Sequence, residues 1–172
     1  MSINNLSRSR ALFIAIVAVL VLGVTVPAPA LARPTERNAV GAELTRYLAV
    51  HPGGTVLNDN EISYQDGELI VTLDPPVGVH GVADCPSGWF CFYEWPQYGY
   101  PRGKLSSCGW QNLANWNWQF RVESAHYNLG NGYVAFYYHQ SQELFRVGVG
   151  NRVRSDAAPH RNWANYVYRH CS

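Results

Sequence analysis

The stretch 85-CPSGWFCFYEWPQYGYPRGKLSSCGWQNLANWNWQFRVES-124 decides the fold. It carries three of the four cysteines and five of the six tryptophans, so the covalent staples and the bulkiest core candidates fall in one short segment. Cys85 and Cys91 bracket a Pro-Ser-Gly turn, and the aromatic run Phe90-Cys91-Phe92-Tyr93-Glu94 follows. Pro96, Gly99, Pro101 and Gly103 then interrupt the chain at short intervals. Proline removes a backbone donor and glycine weakens a helix, so this punctuation excludes helix and predicts short strands joined by tight turns.

Downstream, the apolar residues continue in short runs, each closed by Gly, Pro or Asn, with no helical periodicity. Tyr133-Val134-Ala135-Phe136-Tyr137-Tyr138 is the clearest strand, and Val147 to Asn151 reads as strand and turn. The two halves echo each other. Phe92-Tyr93-Glu94 opens one and Phe136-Tyr137-Tyr138 the other, and each closes on an Asn-Trp element, at Asn117-Trp118 and Asn162-Trp163. Two copies of a four-strand unit fit paired Greek keys.

Upstream, residues 33–84 hold no Trp, Phe or Cys and set three arginines against eight acids, whereas residues 85–172 set eight Lys/Arg against four acids. Two segments of opposite sign are joined. In the acidic one, Val40, Leu44, Tyr47 and Leu48 recur at helical spacing over residues 36–50, and His51-Pro52-Gly53-Gly54 ends the helix. Glu61 to Tyr64 and Leu69 to Leu73 alternate about Asp66-Gly67, a hairpin signal. A lone hairpin is marginal in water, so this one is expected to pack on the helix or on the basic domain. The expected organisation is an acidic helix-hairpin segment at 33–76, a stiff Pro-Gly linker at 77–84 and a stapled β domain at 85–172.

At the start, Arg8 and Arg10 precede an apolar run from Ala11 to Val26, and Ala30-Leu31-Ala32 has the form of a cleavage site. Residues 1–32 are therefore expected to be a secretory signal peptide, too short and too Pro-interrupted for the ~20-residue span of a bilayer. The expected product is secreted, extracellular and monomeric, with no membrane span after cleavage. Export in turn makes Cys85, Cys91, Cys108 and Cys171 an even set in an oxidising compartment, hence two disulfides rather than metal ligands, which lack C-x2-C spacing. Three pairings are possible. The expected one joins Cys85 to Cys91 across a turn and Cys108 to Cys171 from mid-domain to C-terminus, the longer loop restricting the unfolded chain more.

CPSGWFCFYE, Gln97-Tyr98-Gly99 and the run Leu105 to Leu113 resemble the secreted actinobacterial peptidase-inhibitor family typified by the Streptomyces metalloproteinase inhibitor. The likeness covers residues 85–171 and implies a mainly β, βγ-crystallin-like fold of two Greek keys. The helix and hairpin before it are similar to an extra part of longer members. Tyr93 to Tyr98 fits the Y-E-x-x-x-F-x-G corner of such folds, but Gly99 arrives one residue early, and His139-Gln140-Ser141-Gln142-Glu143 lacks the Phe-Gly pair. The stretches 119–124 and 164–169, where calcium-binding members carry oxygen-rich loops, have few carboxylates here, so neither a metal nor another cofactor is expected.

Function follows from what is missing as much as from likeness. No G-x-S-x-G, H-E-x-x-H or phosphate loop occurs, and disulfide-bonded cysteines are not nucleophiles, so an enzyme is not expected. Export also makes nucleic acid a poor partner for the Arg- and aromatic-rich surface. The resemblance implies a proteinaceous peptidase inhibitor, of metallopeptidases above all, in which a rigid loop offers a large apolar residue to the cleft. Rigidity lowers the entropy lost on binding. The contact expected is the loop Glu143-Leu144-Phe145-Arg146, at the second key's departure from the usual corner. The alternative is a secreted cell-wall or polysaccharide-binding, killer-toxin-like module without inhibitory activity.

Overall fold

A computed structural model describes residues 36–172. The signal peptide expected at residues 1–32 lies outside the described residues. The chain from residue 36 folds as helix α1 (Glu36–Val50), a β-hairpin region with strands β1 (Thr55–Asn58), β2 (Glu61–Tyr64) and β3 (Leu69–Thr72), and then eight further strands. These are β4 (Trp89–Trp95), β5 (Gly99–Leu105), β6 (Gly109–Asn112), β7 (Ser124–Asn128), β8 (Tyr133–Tyr138), β9 (Gln142–Gly148), β10 (Val153–Arg154) and β11 (Tyr166–His170). The mainly β expectation holds.

All pairings are antiparallel and fall into two sheets, ordered β1-β2-β3-β5-β4-β7-β10 and β6-β11-β8-β9. Strands β4 to β7 and β8 to β11 are the two four-strand units. In each, the fourth strand returns beside the first, as a Greek key requires. The third strand of each unit crosses over: β6 joins the sheet of the second key and β10 that of the first. Neither key can therefore complete its sheet without the other.

The core between the sheets is aromatic. Trp118, Phe90, Phe92 and Phe136 are fully buried. Phe92 meets Trp118 edge-on at 4.9 Å and Phe136 at 6.4 Å, while Phe136 stacks on Phe145 at 4.5 Å. Gly103 is obligatory here: a Cβ at that position would lie 2.4 Å from the Phe92 ring. Strand β4 is apolar on both faces because both are covered. Its Phe90 and Phe92 enter the main core, while Cys91 and Tyr93 pack with Cys85 and with Trp89, Tyr98 and Tyr100 in a smaller cluster.

The acidic segment is built into this sheet. Strand β3 pairs with β5, with Val71 opposite Gly103 and Thr72 opposite Arg102. Ile62, Leu69 and Val71 are fully buried in the same core as Leu44 of α1. The opposite charges meet directly: Lys104 Nζ lies 3.0 Å from Glu61, and the Trp116 indole N–H donates to Gln65 at 2.9 Å. Residues 77–84 connect β3 to β4 within one sheet, ending at Asp84, which accepts from the buried Tyr93 hydroxyl at 2.8 Å and pairs with Arg102 at 3.1 Å. The hairpin turn at Gln65–Gly67 is tight, with left-handed backbone at Gln65, Asp66 and Gly67.

Both expected disulfides form, Cys85–Cys91 and Cys108–Cys171, and no free cysteine remains among the described residues. The first is anchored to β7, where His126 Nδ1 accepts from the Cys85 N–H at 3.0 Å and Asn128 donates to the Cys85 carbonyl at 2.7 Å. Burial, opposed by Asp84 and aided by Arg152 and Arg102, pushes the His126 pKa down. His51, beside Arg121, is shifted the same way, again mainly by burial. Below the ordinary value of about 6.5 the unfolded chain binds protons that the folded chain resists, so stability is full above that pH and declines as pH falls. A thermal melt is expected to drop between about pH 7.5 and about pH 5.5. His126→Asn, which keeps an acceptor but cannot titrate, should flatten that slope, and an unchanged slope would place the effect elsewhere.

Candidate functional site

The sequence-derived contact residues divide sharply. Leu144 and Phe145 do not sit on a loop. They belong to strand β9, 9% and 7% exposed, and face the core. The missing Phe-Gly corner is replaced by a bulge between Phe136 and Tyr137 that keeps β9 paired to β8, so an apolar pair beside it is drawn inward. Arg146 points outward, held by Glu143 at 2.6 Å and lying over the Tyr133 ring at 4.7 Å. The expected apolar loop is thus a core strand with one exposed cation.

The exposed apolar residues gather elsewhere, at the end of the sandwich where both keys close. Phe120, Tyr138 and Trp163 are 46%, 36% and 49% exposed and, with Asn162, line a groove of about 410 Å³. Phe120 and Tyr138 rings lie 6.4 Å apart. Three separate loops build this end, and each is pinned. The Phe120 N–H donates to the Ala164 carbonyl at 2.8 Å, and the Asn162 N–H to that of Val122 at 3.1 Å. The His139 N–H donates to Asn165 Oδ1 at 2.8 Å, and Asn165 N–H to Tyr137 at 3.0 Å.

Polar side chains brace the loops from behind. Glu123, 7% exposed, accepts from Asn162 Nδ2, and its backbone carbonyl accepts from Ala157 at 2.7 Å. Arg161 grips Asp156 at 2.6 Å, and this hydrogen bond, with that from the Ala158 N–H, holds the Asp156 carboxyl at about 2. Phe120 itself has φ +61°, and His139, Gln140 and Asn162 are also left-handed. A bulky residue rarely adopts that conformation, which costs on the order of 1–3 kcal/mol and persists only where surrounding contacts enforce it. The loop hydrogen bonds supply that enforcement. No local sequence signal marks Phe120, because residues 117–122 read only as the closing element of the first key.

A second exposed surface is the outer face of the four-stranded sheet. Alternation sends Val134, Phe136 and Val167 inward and Tyr133, Tyr137, Tyr166, Tyr168 and His170 outward. Trp110 of β6 lies opposite Tyr168 and reaches across β11 to Tyr137 on β8, with centroids 4.9 Å apart in both contacts. The three tyrosine rings around it stand at 60° to 88° to the indole plane.

Among the described residues no helix is long and apolar enough to cross a membrane. No family model, curated protein or solved structure matches the chain.

Proposed function

We propose that the protein is a secreted peptidase inhibitor, of metallopeptidases above all, and that Phe120 is the apolar side chain it offers. The observation that carries this reading is a large exposed aromatic held at φ +61° on a loop hydrogen-bonded on both sides. An inhibitor must enter a cleft without following it into the reaction geometry, and a loop that cannot relax resists being turned over. Phe120 also meets the preference of thermolysin-like enzymes for a large apolar residue. Tyr138 and Trp163 beside it supply the rigid aromatic area typical of binding hot spots. Two disulfides suit an exported, oxidising setting, and the resemblance of residues 85–171 to secreted inhibitors points the same way.

The test is titration of residues 33–172 against thermolysin-like, subtilisin-like and papain-like peptidases. Stoichiometric loss of the metallopeptidase activity is expected. Phe120→Ala should weaken inhibition by about thirtyfold, the scale of a hot-spot side chain. Phe120→Gly should abolish the contact while leaving the melting temperature equal or higher, because glycine relieves the left-handed strain. Inhibition unaffected by both changes would move the contact off this loop, and no inhibition of any enzyme in the panel would reject the function.

A further inference from the structure

Beside Trp110, along the free edge of β6, lies a second cleft of about 210 Å³. We propose that it binds one unit of a neutral glycan chain, whose neighbouring unit stacks on the exposed face of Trp110. The site is independent of the inhibitory loop, and it stands whether or not the protein inhibits a peptidase.

The lining of the cleft defines the ligand. Trp110, 43% exposed, forms one wall and extends onto the aromatic outer sheet face. The apolar C–H face of a pyranose matches the electron-rich face of an indole, and the surrounding phenols have hydroxyls to meet sugar hydroxyls. Gln111, 8% exposed, also lines the cleft; its Nε2 donates to the Ser107 carbonyl at 2.6 Å, but its Oε1 is buried with no partner. A buried acceptor left open is costly unless something donates to it, and a hydroxyl or acetamido N–H is such a donor.

Asn112 and Asn115 add polar groups at the rim. Asn112 uses its Oδ1 to cap the turn at Leu113–Trp116, accepting from Ala114 at 3.0 Å, which leaves its amide donors for a ligand. Strand β6 is paired on one side only, so backbone groups on its other side are not taken up by a neighbouring strand. The sign of charge narrows the class further. Among the described residues Glu68 is the one charged residue of the lining and no Lys or Arg lines it, so phosphate, sulfate and carboxylate ligands find no counter-charge there. The volume is below the roughly 300 Å³ of the smallest drug-sized pockets, which suits a single sugar ring with the chain continuing over Trp110. The Cys108–Cys171 bridge beside the cleft ties its wall to the end of β11.

The experiment is tryptophan fluorescence and calorimetry of the full exported chain with β-1,4-linked glucose and N-acetylglucosamine hexamers. A saturable response to at least one hexamer is expected. Trp110→Ala should weaken it by about tenfold or more, the effect of losing one stacking platform. Gln111→Leu, which retains volume and removes the open acceptor, should weaken it while preserving the melting temperature. Trp95→Ala, at an exposed tryptophan outside the cleft, should leave it unchanged. No saturable response to either hexamer, equal binding by Trp110→Ala, or tighter binding to a sulfated chain than to a neutral one would overturn the proposal.

Discussion

Asp84→Ala is expected to cost the domain about 3–5 kcal/mol, the penalty for leaving a buried charge without its partner. Arg102 is 5% exposed, and its guanidinium has few alternatives to Asp84. Nη1 lies 3.1 Å from the Asp84 carboxylate and also donates to the Asp84 backbone carbonyl, Nη2 donates to Thr72 at 3.0 Å, and Nε is unpartnered. The same carboxylate accepts from the hydroxyls of Tyr93 and Tyr100, whose pKa values are raised by burial first and by this acid second. One substitution therefore strands an arginine and two phenols. Desolvation weighs so heavily on such a pair that replacing both members by apolar residues is often neutral. Asp84→Leu combined with Arg102→Met should accordingly be less destabilised than Asp84→Ala alone. Denaturant unfolding of the three proteins decides it: a change within about 0.5 kcal/mol in Asp84→Ala would show that water, not Asp84, satisfies Arg102.

Much of this architecture is legible in the sequence, and the parts that are not share a physical reason. The helix at 36–50, the turn at Asp66-Gly67 and the strand at 133–138 all rest on local chemistry, and each forms. The exchange of β6 and β10 between sheets is a long-range choice with no local mark, and β10 is only two residues long. Strand β1, exposed at all four residues, carries no alternation from which to infer it. Tyrosine obscures the faces of β8 and β11, since it packs in a core or stands in water equally well. The run Tyr133 to Tyr138 therefore reads as a strand without a marked face, and the place of Tyr133 and Tyr137 on an outward platform emerges only once Val134 and Phe136 are seen filling the interior. Leu144 and Phe145 failed as a loop for the converse reason: departure from a corner motif shifted register by a bulge instead of opening the strand. Asp84 looked like the end of a linker because its partners lie on β4 and β5, beyond any local window.

Removing the acidic segment tests how far the two keys depend on it. A chain of residues 78–172 retains all eight strands of the paired keys and both disulfides, yet should not remain a stable monomer. Deletion uncovers the edge of β5, whose backbone pairs with β3 from Ile70 to Thr72. It strips Ile62, Leu69 and Val71, all fully buried, from the common core. Burial of each such side chain contributes about 1.5–3 kcal/mol, so the three together reach about 4.5–9 kcal/mol, comparable with the 5–15 kcal/mol that holds a typical domain folded. Polar losses add to the apolar ones. Arg102 loses Thr72, Lys104 loses Glu61, and the half-buried Arg121 loses Tyr47 and His51 while keeping Glu94, the Asn117 carbonyl and the Trp118 ring. An uncovered, hydrogen-bonding strand edge flanked by newly exposed apolar residues recruits another chain, so the truncated protein should associate or melt well below the full one. Sedimentation and thermal melts of the two proteins give the answer. A monomeric fragment with the melting temperature of residues 33–172 would mean that the hairpin only decorates the sheet it extends.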